Sequence, residues 1–157
     1  PVVEREALAV YRVCLRILGR SADAEDVAQE SMVIGYRSLR TYRGDGPLGA
    51  WLVRIATRQA YRRLAQRREA VDLAAVGERA STAAEPLGAL VAAERAAELR
   101  QGVAALPEPY RETVALRFFG ELSLAEIAGA TGRPLNTVKT HLRRGLERLR
   151  RAAEPNR

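Results

Sequence analysis

The stretch SLAEIAGATGRPLNTVKTHLRRGLERLRR, residues 123–151, constrains the fold of this chain more than any other. Ser123 followed three residues on by Glu126 is a capping box, in which each side chain takes up a backbone N–H of the other residue at a helix start. Leu124, Ile127 and Ala128 give that helix its inner face, and Gly132 permits a turn before Pro134. A second helix follows almost at once, with Leu135, Val138, Leu142, Leu146 and Leu149 as its apolar seam. Asn136, Thr137, Lys139, Thr140, Arg143, Arg144 and Glu147 fall on its outer side. The pair reads as a helix-turn-helix whose basic member comes second, the order that lays a recognition helix in the major groove of duplex DNA. Lys139, Thr140 and His141 suit base edges, while Arg143 and Arg144 can span to phosphate or guanine. A basic face turned merely to solvent is the plain alternative.

The same period runs through the rest of the chain. In VEREALAVYRVCLRIL, Leu8, Tyr11, Leu15 and Leu18 recur at spacings of three and four, which predicts a helix over residues 3–18 closed by Gly19. Cys14 lies beside that stripe as a small buried apolar residue. Ser21 or Asp23 caps a second helix reaching about Leu39, with Val27, Ser31, Met32, Ile34, Tyr36 and Leu39 inside. The glycines, proline and aspartate of TYRGDGPLGAW make a turn, and Pro47 or Leu48 starts a third helix to about Arg68. Leu48, Leu52, Ile55, Ala56 and Ala60 gather on one side of it; Arg54, Thr57, Arg58, Tyr61 and Arg62 gather on the other. Trp51 reads as a packing anchor beside the loop.

Residues 69–88 carry small, polar and acidic residues without an aromatic and read as a flexible linker. Helices over about 89–106 and 110–119 then lead into the helix-turn-helix. The expected architecture is all-α: two small helical domains, 1–68 and 89–157, joined by that linker.

Charge narrows the function. The chain has 157 residues and a net charge of +7, unevenly spread: 13 Arg stand against 7 acids in residues 1–68, 3 against 6 in 69–105, and 10 Lys and Arg against 6 in 106–157. Two basic ends around an acidic middle point to a polyanionic partner. Arg outnumbers Lys 25 to 1, so a compositional bias inflates each single arginine. One cysteine and one histidine largely exclude disulfide frameworks, Cys/His metal sites and Cys-His or Ser-His catalytic pairs, so no catalytic residue, metal or cofactor is expected. No apolar run approaches the roughly 18 residues of a membrane helix, and no secretory leader is evident, so no membrane insertion and a cytoplasmic location are expected.

The first basic helix follows a glycine-rich loop containing Tyr42 and Arg43, a combination suited to single-stranded nucleic acid, whose unstacked bases lie on side chains. An ordinary interhelical loop is its plain alternative. The cluster DAEDVAQE, residues 23–30, holds more acids than a helix start can use, and a basic protein partner would account for the surplus.

ILGRSADAEDVAQESMVIGYRSLRTYRGDGPLGAWLVRIA and LPEPYRETVALRFFGELSLAEIAGATGRPLNTVKTHLRRGLERLRR resemble, in this order and spacing, the two conserved domains of the extracytoplasmic-function sigma factors, small promoter-specificity subunits of bacterial RNA polymerase. The resemblance implies a function in promoter-specific transcription initiation with core RNA polymerase and promoter DNA, duplex and melted, as partners, and an anti-sigma factor as a possible inhibitor. It implies that Asp23, Glu25, Asp26, Gln29 and Glu30 meet the coiled-coil clamp of the polymerase. Arg54, Thr57, Arg58, Tyr61 and Arg62, with the loop from Tyr42 to Ala50 and its Arg43, would read and open the downstream promoter element. Lys139, Thr140, His141, Arg143 and Arg144 would read the upstream element as duplex. The chain departs from common family residues at Arg58, Arg62, Asn136 and His141. A stand-alone helix-turn-helix regulator that binds duplex operators as a dimer is the competing expectation; it leaves the acidic cluster without a task. A nucleic-acid enzyme lacks paired inward carboxylates or a ligand cluster.

Overall fold

Alanine, leucine, arginine and glutamate, all strong helix formers, recur along this chain, and no alternating apolar pattern of strand length interrupts them. The computed structural model describes residues 2–74 and 87–154, and every regular element among them is helical. The elements are α1 (Val2–Leu18), α2 (Ser21–Arg37), a 3-10 turn (Leu39–Thr41), α3 (Leu48–Ala74), α4 (Leu87–Ala104), α5 (Tyr110–Phe118), α6 (Leu124–Thr131) and α7 (Leu135–Ala153).

α1, α2 and α3 pack on one another as a first unit, and α5, α6 and α7, with α4 alongside, make a second. α3 also lies against α5 and α6, and α1 touches α4, so buried apolar residues of both units join in one connected cluster. Val10, Val13, Cys14, Ile17, Val27, Leu52, Val53 and Ala56 belong to it from the first unit; Val114, Leu116, Phe119, Ile127 and Val138 belong to it from the second. Each large member contributes about 1.5–3 kcal/mol through burial.

Several local expectations need correction. The buried stripe of α1 is Val10, Val13, Cys14, Ile17 and Leu18, whereas Leu8 is 50% exposed. Both stripes satisfy a helical period, and packing against α2 and α3 selects the one with the smaller, β-branched side chains. Neither Ser21 nor Asp23 caps α2; Arg20 stands at the cap position without a side-chain hydrogen bond. On α2 Ala24, Val27, Ala28, Ser31 and Gly35 are buried, while Tyr36 is 81% exposed. α3 runs on to Ala74 because residues 69–74 contain no helix breaker. The expected linker therefore contributes its first six residues to α3 and Leu87 and Gly88 to α4; residues 75–86 lie outside the described residues.

The helix-turn-helix forms as its local chemistry dictates. Ser123 Oγ accepts the Glu126 N–H at 3.0 Å and Glu126 Oε1 accepts the Ser123 N–H at 2.8 Å. Gly132 ends α6 at φ 70°, a left-handed conformation that costs glycine nothing. Val138 and Gly145 bury the inner side of α7 against α5 and α6, with Leu142 and Leu149 half-buried, while Leu135 at the helix start is 41% exposed.

Candidate nucleic-acid interface

The basic side of α3 faces the second unit. Arg54 Nε donates to Glu112 Oε1 at 2.7 Å, Arg58 reaches Glu112 Oε2 at 3.4 Å, and Arg133 stands 4.0 Å from the same carboxylate. Glu112 is only 4% exposed, so three cations compensate one buried anion. Arg54 also donates at 3.4 Å to the carbonyl of Ala130 in the last turn of α6, where unsatisfied carbonyls and the helix dipole favour a cation. Thr57, expected on the wet side, is 1% exposed, and its hydroxyl donates to Val53 O at 2.8 Å. The correction has a simple cause: α3 is the central helix, and α5 and α6 cover the face that a two-sided wheel assigns to solvent. Tyr61 is half-buried, with the Arg111 guanidinium 5.0 Å from its ring centroid, and burial pushes its phenol pKa up. Arg62 remains exposed.

The loop before α3 closes on itself and on α6. Tyr42 donates its hydroxyl to Gly46 O and lies 5.4 Å from the half-buried Trp51, while Arg43 is exposed. With Arg54 and residues 129–132 they line a cavity of about 270 Å³ between the units.

α7 behaves differently. Lys139, Arg143 and Arg144 are exposed, the last two on successive positions of the outer edge, and Arg143 pairs with Glu147 at 3.9 Å. Thr140 is half-buried and donates to Asn136 O at 3.0 Å. His141 turns inward, edge-on to Tyr110 at 6.0 Å between centroids, and its Nδ1 is buried without a hydrogen-bond partner among the described residues. Burial first, then Arg133 and Arg144, lower its pKa below the ordinary 6.5.

On α2 the acids divide. Asp23 is bound by Arg67 and lies 3.7 Å from Arg63, which also reaches Glu30 at 3.4 Å. Glu25, Asp26 and Gln29 are exposed, and Asp26, Gln29, Glu30, Val33, Ile34 and Arg37 line an open groove along the outer side of the helix.

Sigma-70 region 2 matches residues 2–70, and sigma-70 region 4 matches residues 96–149. The ECF RNA polymerase sigma factor SigW of Bacillus subtilis is 32% identical over 152 residues, covering 90% of this chain and 81% of the relative. The chain belongs to the extracytoplasmic-function sigma factors. The sigma-H factor of Pseudomonas aeruginosa is 32% identical over 156 residues, 93% of this chain and 81% of its own length. The fold recurs in CnrH bound to the cytosolic domain of CnrY, at TM-score 0.63 and 21% identity over 96% of this chain and 84% of that one. It recurs also in RpoE of Bartonella quintana bound to the anti-sigma factor NepR, at TM-score 0.61 and 20% identity over 99% and 96%. Membership of the sigma factor family sets aside the stand-alone regulator.

In this sigma factor several residues at the site escaped the sequence reading. Glu112 binds the α3 arginines, and Arg63 and Arg67 hold Asp23. Arg16 donates to Phe119 O at 2.8 Å and Arg100 donates to Arg16 O at 2.9 Å, joining regions 2 and 4 at their far edge. One signal was available: Glu112 shares a helical stripe with Ala115, Leu116 and Phe119, and an acid on an apolar stripe needs a cation to meet it.

Proposed function

We propose that this sigma factor binds core RNA polymerase through the outer side of α2 and promoter DNA through α3 and α7, and so directs initiation at its promoters. The observation that carries the assignment is the division of the α2 acids. Asp23 is consumed within the chain by Arg63 and Arg67, whereas Glu25, Asp26 and Gln29 are presented outward with an adjoining groove. A cationic coiled-coil surface fits that row, and Glu30 extends it. The α7 row of Lys139, Arg143 and Arg144 would lie along the upstream duplex, with Thr140 and His141 nearer the domain body. Tyr42, Arg43, Arg54, Arg58, Tyr61 and Arg62 would take the melted downstream strand, with Thr57 beneath them.

Region 2 comprises residues up to 68 in this reading, region 4 those from 89. The chain acts by binding and supplies no catalytic group. No described helix is long and apolar enough to cross a membrane, and its place of work is the cytoplasm with the polymerase. Both structural neighbours are complexes, one with an anti-sigma factor and one with the cytosolic domain of CnrY, and they support a similar inhibitory partner here.

Asp26→Lys tests the polymerase surface. Asp26 forms no ion pair among the described residues, so the fold stays intact by circular dichroism while affinity for core polymerase falls by about 2 kcal/mol or more, as expected of like charges brought together. Unchanged assembly on a sizing column would remove α2 from the polymerase interface.

A further inference from the structure

α2 carries the outward acids, yet little in its packing fixes how it is turned. Of its buried residues Ala24, Ala28, Ser31 and Gly35 are small, and only Val27 is branched. Small side chains interlock weakly with the helices beneath them, so they leave rotation and tilt poorly set. Nor is the start of α2 held locally, since Arg20 stands at the cap position without a side-chain hydrogen bond. The far end is held by shape: Leu52 of α3 packs so close to Gly35 that a Cβ there would not fit. The near end is held by charge. Arg67 of α3 donates to Asp23 Oδ2 in the first turn of α2, Arg63 lies 3.7 Å from Asp23 Oδ1, and Arg63 also donates to Glu30 Oε1 at 3.4 Å. Asp23, Arg63 and Arg67 are each only 25–27% exposed, so water weakens this bridge less than it would a surface pair. Arg67 Nε is buried without a hydrogen-bond partner among the described residues, which leaves Asp23 as the acid that holds this guanidinium. Arg63 follows Arg54, and Arg67 follows Arg58, by about two and a half turns, so the two pairs lie on opposite sides of α3. One side faces region 4, and the other fastens α2.

We propose that Arg63 and Arg67 are positioning residues for polymerase binding: through Asp23 they hold the first turn of α2 and set the angle at which Glu25, Asp26 and Gln29 meet the cationic coiled coil. Asp23 is then an anchor inside the chain and not a contact of the polymerase. The same bridge ties the polymerase surface to α3. This inference rests on the reading of α2 as the polymerase surface.

Arg67→Met gives the two possible roles of Asp23 opposite signs. A polymerase contact would be freed by the loss of its internal partner, and assembly would tighten; an anchor would lose its hold on α2, and assembly would weaken. The test measures the affinity of the full chain, labelled with fluorescein at its N-terminus, for core polymerase by fluorescence anisotropy. Arg68→Met is the control for the loss of one positive charge, because Arg68 is exposed on the same turn and forms no ion pair among the described residues. Arg67→Met should bind about tenfold more weakly than Arg68→Met, within the range for residues that act through one another. Arg67→Lys, which keeps the charge, should recover to within about threefold of the wild type. Circular dichroism and urea unfolding establish that each chain is folded under the binding conditions. A bridge that only stabilised the fold would lower the unfolding midpoint and leave the affinity of the folded chain alone.

Arg67→Met binding as tightly as Arg68→Met would overturn the positioning role, and tighter binding would overturn it by making Asp23 a contact. Arg67→Lys as weak as Arg67→Met would overturn it as well, by tracing the loss to packing and not to the charge that holds Asp23. Should Arg67→Met fail to fold, Arg63→Met is read by the same comparison, since it removes the pairs with Asp23 and Glu30 and leaves Arg67 in place. Asp26→Lys keeps the two levels apart. If it too binds normally, the polymerase surface is not on α2 and the positioning role goes with it; if it binds weakly while Arg67→Met binds normally, the surface stands and only the bridge is overturned.

Discussion

Two rows of arginine run along this molecule, one on α3 and one on α7, and they are in opposite states. Arg54 and Arg58 share the buried carboxylate of Glu112, and Arg54 also holds a helix-end carbonyl. Arg143 and Arg144 stand in solvent with one acid, Glu147, 3.9 Å from Arg143. Both rows carry the same kind of charge, each on one helix. What separates them is position: α3 is the helix on which both units pack, and α7 is an outer helix whose far side no described element covers. A basic face therefore reports a ligand surface only after the acids of the same chain have been placed.

The sharpest way to break this comparison is one substitution made in both rows. Arg54→Met leaves the Glu112 carboxylate buried with weaker company, and breaking a buried pair of this kind costs about 3–5 kcal/mol when no other cation is near. Arg58 and Arg133 remain, at 3.4 and 4.0 Å, and should hold the loss to about 2–3 kcal/mol. Arg144→Met should change stability by no more than about 0.5 kcal/mol, as surface substitutions do. Urea unfolding followed by the fluorescence of Trp51, which lies at the seam between the units, reads both. Equal shifts would mean that the α3 row is no more tightly held than the α7 row.

How much of this could be read from sequence differs between the same two regions. The capping box of Ser123 and Glu126, the left-handed Gly132 and most of the apolar seam of α7 are local signals, and the structure reproduces them. The chemistry of α3 is not local. Its second face is buried by helices some 50 to 75 residues away in sequence, as the pairs of Arg54 with Glu112 and Ala130 show, and no periodicity within α3 reports that. The stripe of α1 holds only in part, for a related reason: Leu18 is buried and Tyr11 and Leu15 are half-buried against the core, whereas Leu8 is exposed. VYRVCLRIL is apolar at so many positions that two faces satisfy the same period, and only packing on α2 and α3 chooses Val10, Val13, Cys14 and Ile17. Cys14 itself matches its expected role: it is fully buried, and its thiol pKa is pushed up to about 12 by desolvation.

A smaller effect sharpens the contrast on DNA. Binding of the free chain to a mixed-sequence duplex should weaken with salt in proportion to the phosphates neutralised. Arg144→Met should lower the slope of log affinity against log salt by about 1, the signature of one lost phosphate contact. Arg54→Met should leave that slope unchanged, because its charge is already matched inside the protein. Parallel losses from both variants would place α3 on the duplex and remove the distinction between an open row and a covered one.

The smallest effect concerns the one titratable group that faces inward from α7. The groups around His141 are the Tyr110 ring, edge-on to it, and the charged Arg133 and Arg144, and burial adds to the two cations in disfavouring its protonated form. Its folded pKa is therefore below the ordinary 6.5 that the unfolded chain retains. Below 6.5 the unfolded state binds the proton first, so the contribution of His141 to stability is complete above that pH and is lost as pH falls through the folded value. His141→Phe keeps an aromatic edge against Tyr110 and has no proton to take up. The stability difference between wild type and His141→Phe, measured by urea unfolding from pH 7.5 downward, should hence shift in favour of the variant as pH falls below about 6.5 and level off once the folded histidine is itself protonated. A difference independent of pH would mean that His141 is solvated like Arg143 and Arg144 rather than packed, and that all of the outer α7 row stands open.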